Sequence, residues 1–180
     1  SVPDDIKRDC VWQTETGLGE WFYKAGTFYD SGMVIHQMLE AVSRDGNYAI
    51  NIPLKPSGDL DPGGLKTLQD MGDWMDVNSE GIHGSSAWDV WGEGQVVMQH
   101  GNLGPVHAQT PYTGADIRFT TNNGALYAYL MAWPADGKAV IRSLAEGAGA
   151  ITDVQLLGSR EKLTWVQTGE GLVIFLFNVK

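Results

Sequence analysis

The sequence has few cysteines, few basic residues and no long apolar run, and each of these features would have indicated a class of function. Cys10 is its single cysteine, so an internal disulfide is excluded and cysteine usage indicates no compartment. Lysine and arginine total 12 against 22 acidic residues, and the formal net charge of −10 argues against nucleic-acid binding, because phosphates need a basic face. No apolar run approaches the roughly 20 residues of a membrane-spanning helix. The remaining class is a globular protein of one domain or two small ones.

Motifs for cofactors and metals are missing as well. The sequence has no glycine-rich phosphate loop and no G-x-S-x-G turn. Its four histidines are too scattered for a zinc site: His36, His83, His100 and His107. We therefore expect no cofactor and no metal. Seven tryptophans are many for 180 residues, and each either packs in the core or stacks on a ligand such as a sugar.

The first half of the chain alternates strand and helix patterns. Residues 48–52 form an almost continuous apolar strand that has Asn51 near its carboxyl end, as in parallel sheets covered by helices. Asp61 is a candidate N-cap with Pro62 at the first helical position, and apolar residues follow at helical spacing. Ser31 is the candidate N-cap of an earlier helix that closes at residues 45–46.

Near residue 95 the hydrophobic period changes from about 3.6 to 2. Ile117 and Phe119 alternate with polar residues, and the run N-N-G at 122–124 is a hairpin signal. Further strands are predicted at 125–133, 138–144, 151–157, 163–167 and 172–177, after a crossing loop at 95–115. This spacing is typical of a small antiparallel β-sandwich.

The predicted organisation is an α/β part at residues 1–94 followed by an all-β part at 95–180. The first part holds about two and a half strand–helix units, whereas a closed barrel of eight takes roughly 250 residues. It is therefore either a small open α/β domain or the C-terminal piece of something larger. A chain that begins at Ser1 without methionine favours a fragment, a processed chain or a separate segment.

Five sequence blocks together resemble the family 29 glycoside hydrolases, the α-L-fucosidases. They are W-Q-T-E-T-G at 12–17 with G-E-W-F-Y at 19–23, S-R-D-G-N-Y-A-I-N-I at 43–52, K-P-S-G-D-L at 55–60, M-G-D-W at 71–74 with N-S-E-G-I-H-G at 78–84, and G-A-L-Y-A at 124–128 with W-P at 133–134. Each block alone is weak, but five in this order are specific, and they span nearly the whole chain.

The resemblance implies the C-terminal portion of a (β/α)8 TIM-type barrel followed by a β-sandwich. It implies part of an exo-acting, retaining α-L-fucosidase, in which two carboxylates lie roughly 5–5.5 Å apart. The family's nucleophilic Asp and, we expect, its acid/base residue would lie upstream of Ser1, so no catalytic residue is assigned here. Gln13 stands where the family often has Glu and cannot transfer a proton as a carboxyl does; this variant resembles bacterial members.

The resemblance also implies substrate-binding residues: Trp21, Trp12, Gln13 and Tyr23. Trp21 would pack on the apolar side of fucose near its C6 methyl, the alternative being a Trp that anchors its loop. Gln13 either contacts a sugar hydroxyl or satisfies backbone groups, and a structural role is favoured for Tyr23. Asn51 either orders a neighbouring loop or contacts sugar.

Three carboxylates are candidates for a catalytic role. Glu15 and Glu20 are the carboxylates that the sequence places on the Trp21 loop, and for both a solvated position is favoured over a role as the acid. Glu80 is favoured as a helix-end residue.

The expected partners are a fucosylated oligosaccharide or glycoconjugate and the remainder of the catalytic barrel, with no nucleic acid and no membrane. A periplasmic or secreted bacterial location is inferred from the resemblance alone. Two alternatives remain: a non-catalytic carbohydrate-binding or structural module, and a related exo-glycosidase such as a galactosidase.

Overall fold

A computed structural model describes residues 2–96 and 111–177. The first half contains strand β1 (Gln13–Gly17), helix α1 (Ser31–Val42), strand β2 (Asn47–Asn51) and helix α2 (Pro62–Asn78), and then a short 3₁₀ turn. The two strands are parallel, with Gln13 beside Asn47 and Gly17 beside Asn51. The predicted strand–helix unit is therefore confirmed. No helix within these described ranges is long and apolar enough to cross a bilayer.

Aspartates begin both helices. Asp61 caps α2 by accepting a hydrogen bond from the Gly63 amide at 2.9 Å, and Pro62 is the first helical residue, as predicted. The prediction of Ser31 as the cap of α1 is wrong by one position. Asp30 is the cap and accepts from the Met33 amide at 2.9 Å, because its backbone is extended whereas Ser31 is already helical.

The second half forms two antiparallel sheets of three strands each. The first contains β3 (Gly92–Glu93), β4 (Ile117–Asn122) and β5 (Ala125–Leu130), and the second contains β6 (Lys138–Ile141), β7 (Thr164–Thr168) and β8 (Gly171–Phe175), in the order β6-β8-β7. Asn123 and Gly124 both have positive φ angles, so the predicted hairpin turn is confirmed.

Three strand predictions need correction. Residues 151–157 form no strand; their apolar side chains pack on the core from a loop, which gives an apolar pattern without a ladder. The strand predicted at 138–144 ends at Ile141 and continues as a 3₁₀ turn, Arg142–Leu144. The strand predicted at 125–133 ends at Leu130. Most of the predicted crossing loop, residues 97–110, lies outside the described residues.

The sheet of β4 and β5 is a middle layer with a core on each side. Ile117 and Phe119 pack toward the second sheet in one core. Tyr129 and Met131 pack against α1, α2 and β2 in the other core. Both faces of β4 are therefore covered, and Ile117 to Thr120 are all buried.

Pairing with this sheet begins before the predicted boundary at 94/95. Gly92 pairs with Arg118 in the β3–β4 ladder, and Ser86 forms an isolated bridge with Thr121. The boundary itself stays a prediction.

A buried charged group, which we call the Glu40 cluster, joins the two halves: Glu40, Arg44, Trp91, Tyr112 and Arg118. Glu40 on α1 is 0% exposed, and its Oε1 accepts from Arg118 Nε at 2.9 Å and Nη2 at 2.6 Å and from the Tyr112 hydroxyl at 2.9 Å. Its Oε2 accepts from Arg44, whose guanidinium lies 3.5 Å from the centre of the Trp91 ring. One carboxylate thus links helix α1 to strand β4.

Burial and the neighbouring charges together set the protonation of Glu40 and Tyr112. Burial alone would raise the pKa of Glu40, but the hydrogen bonds and charges of Arg118 and Arg44 lower it below its ordinary value. Burial raises the pKa of Tyr112 far above its ordinary range, and the Glu40 charge adds to that effect. Glu40 is therefore ionised and Tyr112 neutral at physiological pH, which is the state in which all these bonds form.

Candidate substrate-binding edge

Strands β1 and β2 end side by side at one edge of the sheet, which we call the carboxyl edge. In parallel α/β folds this edge carries binding and catalytic groups. The Tyr48 hydroxyl donates to Gln37 Oε1 on α1 at 2.9 Å, so this side of β2 faces the helices. Because side chains alternate along a strand, Asn51 and its neighbour Gly17 lie on the opposite face.

The loop from residue 19 to residue 28, between β1 and α1, is closed at its base. The Leu18 amide donates to Asn51 O at 2.9 Å, the Tyr29 amide donates back to Leu18 O at 3.0 Å, and the Leu18 side chain is fully buried. A Cβ added at Gly19 would lie 2.2 Å from Thr27 O, so the two arms of the loop touch there and only glycine fits. We call this segment the edge loop.

Two side chains of the next strand–helix unit hold the middle of the edge loop. Asn51 Nδ2 donates to Trp21 O at 2.7 Å. The Tyr23 hydroxyl donates to Asp61 Oδ2 at 3.0 Å, while the other oxygen of Asp61 caps α2. The hydrogen bond to Asp61 raises the pKa of Tyr23, which keeps the hydroxyl protonated as the donor. Of the two alternatives for Asn51, the ordering of a neighbouring loop is the one seen.

Between these two attachments the loop presents aromatic rings to solvent. Trp21 is 51% exposed and Phe22 is 82% exposed. An exposed aromatic held on an ordered loop at the carboxyl edge can bind an apolar ligand face at a low cost in conformational entropy. Sequence reasoning singled out Trp21 and passed over Phe22, although the two are adjacent in the same motif.

Trp12 and Gln13 lie at the other end of β1, because the strand begins at Gln13. The Trp12 indole N–H donates to Arg44 O at 3.2 Å and its ring packs against Gly46. The predicted substrate-binding residues Trp12 and Gln13 therefore lie away from the carboxyl edge: four residues of strand, roughly 13 Å, separate Gln13 from Gly17. The structure does not bring Trp12 and Trp21 together.

The predicted carboxylates occupy three different settings. Glu15 is the third residue of β1, so its placement on the loop is wrong; it lies on the face away from the helices and is exposed. Glu20 is on the edge loop, with the Lys24 ammonium 3.8 Å away. Glu80 lies in the 3₁₀ turn after α2 and accepts from the Tyr127 hydroxyl at 3.3 Å, consistent with a helix-end role.

Two family models match the chain in consecutive order. The α-L-fucosidase model matches residues 1–80, and the α-L-fucosidase C-terminal domain model matches residues 109–180. The chain belongs to the α-L-fucosidase family. The five sequence blocks therefore indicated the family correctly.

Curated relatives agree with the assignment. Tissue α-L-fucosidase of Rattus norvegicus is 26% identical over 98% of this chain and 34% of its own length, and that of Homo sapiens is 26% identical over 93% and 33%. The chain thus spans about a third of the length of the curated relatives it matches.

Solved structures show the same fold at low identity. The Thermotoga maritima α-fucosidase in complex with fucose aligns with a TM-score of 0.73 at 21% identity, over 98% of this chain and 37% of that one. The Paenibacillus thiaminolyticus α-L-fucosidase isoenzyme 1 aligns with 0.74 at 18%, over 100% and 40%. The fold is the C-terminal portion of such an enzyme: the end of the barrel and the β-sandwich.

Proposed function

We propose that these residues form the closing part of the catalytic barrel and the adjoining β domain of an exo-acting, retaining α-L-fucosidase. The observation that carries the proposal is the pair of family matches in the order barrel then C-terminal domain. The carboxyl edge of β1 and β2, with its ordered aromatic loop, supports the proposal, because barrel enzymes hold their substrates at the carboxyl ends of their strands. The substrate would be a fucosylated oligosaccharide or glycoconjugate.

The reacting carboxylates are proposed to come from other strands of the barrel. Two parallel strands supply a quarter of an eight-stranded barrel, and the chain spans about a third of its relatives. In a retaining mechanism one carboxylate attacks the anomeric carbon, while the second protonates the leaving oxygen and then activates water. The remainder of the barrel is thus the expected partner of the described residues.

Trp21 is the described residue that we propose to contact fucose. L-fucose carries a methyl group at C6, and an indole face with about half its surface exposed can cover that methyl and exclude water from it. Tyr23 and Asn51 act on the loop that carries Trp21. A periplasmic or secreted location is also proposed, and it rests on the family resemblance alone.

The test is hydrolysis of a fucosylated trisaccharide by the full-length protein, followed by proton NMR. The expected first product is α-L-fucose, since two inversions retain the anomeric configuration. Residues 1–180 alone are expected to give no turnover, and turnover by that fragment would overturn the assignment of the carboxylates to other strands.

Each of the two alternative functions predicts a different experimental result. Faster hydrolysis of an aryl D-galactoside than of the L-fucoside would assign the enzyme to the galactosidase alternative. Binding without any hydrolysis by the full-length protein would favour the carbohydrate-binding module.

Trp21→Ala is expected to weaken fucose binding about three- to tenfold, as measured by calorimetry. An unchanged affinity would show that Trp21 only anchors its loop.

A further inference from the structure

We propose that Phe22 is the contact surface for the sugar to which the fucose is attached, and that Asn51 and Asp61 are the positioning residues that hold it there. This inference rests on the function proposed above and extends it to the leaving-group side of the site. It assigns a role to the most exposed aromatic side chain of the edge loop.

Phe22 lies between two residues that are each held by a hydrogen bond. Asn51 donates a hydrogen bond to the carbonyl of the preceding residue, Trp21. Asp61 accepts a hydrogen bond from the hydroxyl of the following residue, Tyr23. Both attachments come from β2 and the start of α2, which are elements of the neighbouring strand–helix unit. Phe22 is therefore fixed at the carboxyl edge by groups that share that edge.

Holding Phe22 in solvent brings the fold little stability. A phenyl ring that is 82% exposed gains almost nothing from burial, yet the loop around it is closed at its base and held at two further points. Natural surfaces expose single apolar side chains freely, but an ordered loop that projects an aromatic ring beside a binding edge is typical of ligand contact. A pyranose presents a face of C–H groups that packs on such a ring.

Trp21 and Phe22 differ in their exposure and in their distance from the strand ends. Trp21 is 51% exposed and its carbonyl is bound by Asn51 at the end of β2, so it lies nearer the strand ends. Phe22 lies farther into solvent, where the second sugar leaves the pocket of an exo-acting enzyme.

The experiment compares two substrates in the full-length enzyme. One is a fucosylated trisaccharide, and the other is α-L-fucosyl fluoride, which has no sugar as leaving group. For Phe22→Ala we expect the ratio of kcat/KM, trisaccharide over fluoride, to fall about three- to tenfold, mostly through KM. Val11→Ala is the matched control: Val11 is 92% exposed but precedes β1, at the opposite end of the strand, and its ratio stays unchanged.

The positioning residues are tested by a double-mutant cycle. Asn51→Ala is expected to lower the same ratio, and Asn51→Ala combined with Phe22→Ala should lose less than the product of the single losses, because both act on one contact. Tyr23→Phe keeps the Asp61 cap of α2 and removes only the attachment, so it should reproduce part of the Asn51→Ala effect. Multiplicative losses in this ratio would show that Asn51 does not act through Phe22.

Each failure has a distinct meaning. An unchanged substrate ratio in Phe22→Ala, with both substrates still hydrolysed, overturns this inference and leaves the proposed function standing. An unchanged ratio with a lowered Tm would show that Phe22 packs against the rest of the protein. No hydrolysis of either substrate by the unmutated enzyme would overturn the proposed function itself.

Discussion

The Glu40 cluster and the edge loop use polar contacts for opposite purposes. In the Glu40 cluster, the side chains of Glu40, Arg44 and Arg118 are almost completely buried, and the bonds from Arg118 and Tyr112 to Glu40 join one half of the molecule to the other. In the edge loop, two hydrogen bonds hold a short segment whose aromatic side chains remain in solvent. The first arrangement fixes the two halves relative to each other; the second fixes a surface for something outside the chain.

The difference predicts where stability and binding reside. Breaking a buried charge pair leaves an unpaired charge in a low-dielectric interior, which is costly. Breaking a partly exposed hydrogen bond lets water replace the lost partner. Substitutions in the Glu40 cluster should therefore change unfolding, and substitutions in the edge loop should change substrate contact.

The largest expected effect is that of Glu40→Gln. This change removes the one carboxylate that faces both Arg118 and Arg44, so two buried guanidinium groups lose their counter-charge. We expect a loss of about 3–5 kcal/mol in the free energy of unfolding of the full-length protein. Denaturant unfolding measures it, and hydrogen exchange should show faster exchange in both α1 and β4.

Asp70→Asn is the matched control. Asp70 also pairs with a basic residue four positions away on a helix, Lys66 at 2.7 Å, but both side chains reach solvent. The expected loss is within about 0.5 kcal/mol. An equal loss in both variants would show that burial of the Glu40 cluster adds nothing to the coupling of the halves.

The free energies of unfolding of the unmutated protein and Glu40→Gln can also be compared as a function of pH. The pKa of Glu40 is lowered in the folded protein, so its contribution is fully present above the ordinary value of 4.5 and is lost as pH falls through the lowered value. The stability difference between the unmutated protein and Glu40→Gln should stay constant from pH 7 to about 5 and shrink at lower pH. A difference that closes between pH 7 and 5 would mean a raised pKa and would contradict this account.

The sequence predicted the elements of both regions better than their contacts. The hairpin signal at 122–124 and the period of two placed Ile117 and Phe119 in one core correctly. The same period gave no sign that Arg118, between them, is 1% exposed, because alternation assumes one solvated face and here α1 covers it. The pairing of Arg118 with Glu40 joins residues 78 positions apart and carries no local signal.

The candidate site shows the same limit. Asn51 could be singled out because a polar residue at the end of an apolar strand is a local pattern. The bond between Tyr23 and Asp61 could not, since it depends on how two neighbouring strand–helix units sit against each other. The contact of Trp12 with Arg44 could not be predicted either, because the motif W-Q-T does not indicate whether the strand begins before or after the tryptophan.

Two glycine substitutions compare a covered surface with an open one. A Cβ at Gly81 would lie 2.1 Å from the Tyr129 hydroxyl and 2.7 Å from the Tyr127 ring. Gly81→Ala would therefore force the β4–β5 hairpin away from the α/β half, and the free energy of unfolding should fall by about 1–3 kcal/mol. Gly72 on α2 has nothing within 4 Å, and Gly72→Ala should raise stability by about 0.5–1 kcal/mol, as alanine does in exposed helix positions. Thermal unfolding of both variants checks the opposite signs, and a loss in Gly72→Ala would contradict the placement of that helix face in solvent.

A small effect on global stability is expected for Tyr23→Phe. The change removes one partly exposed hydrogen bond to Asp61 and leaves the helix cap at Gly63 intact, so the free energy of unfolding should fall by no more than about 1 kcal/mol. Hydrogen exchange in residues 19–28 should nevertheless rise, because local opening of the edge loop no longer has to break that bond. A global loss as large as that of Gly81→Ala would show that the edge loop is part of the core after all, and the contrast between the two regions would no longer hold.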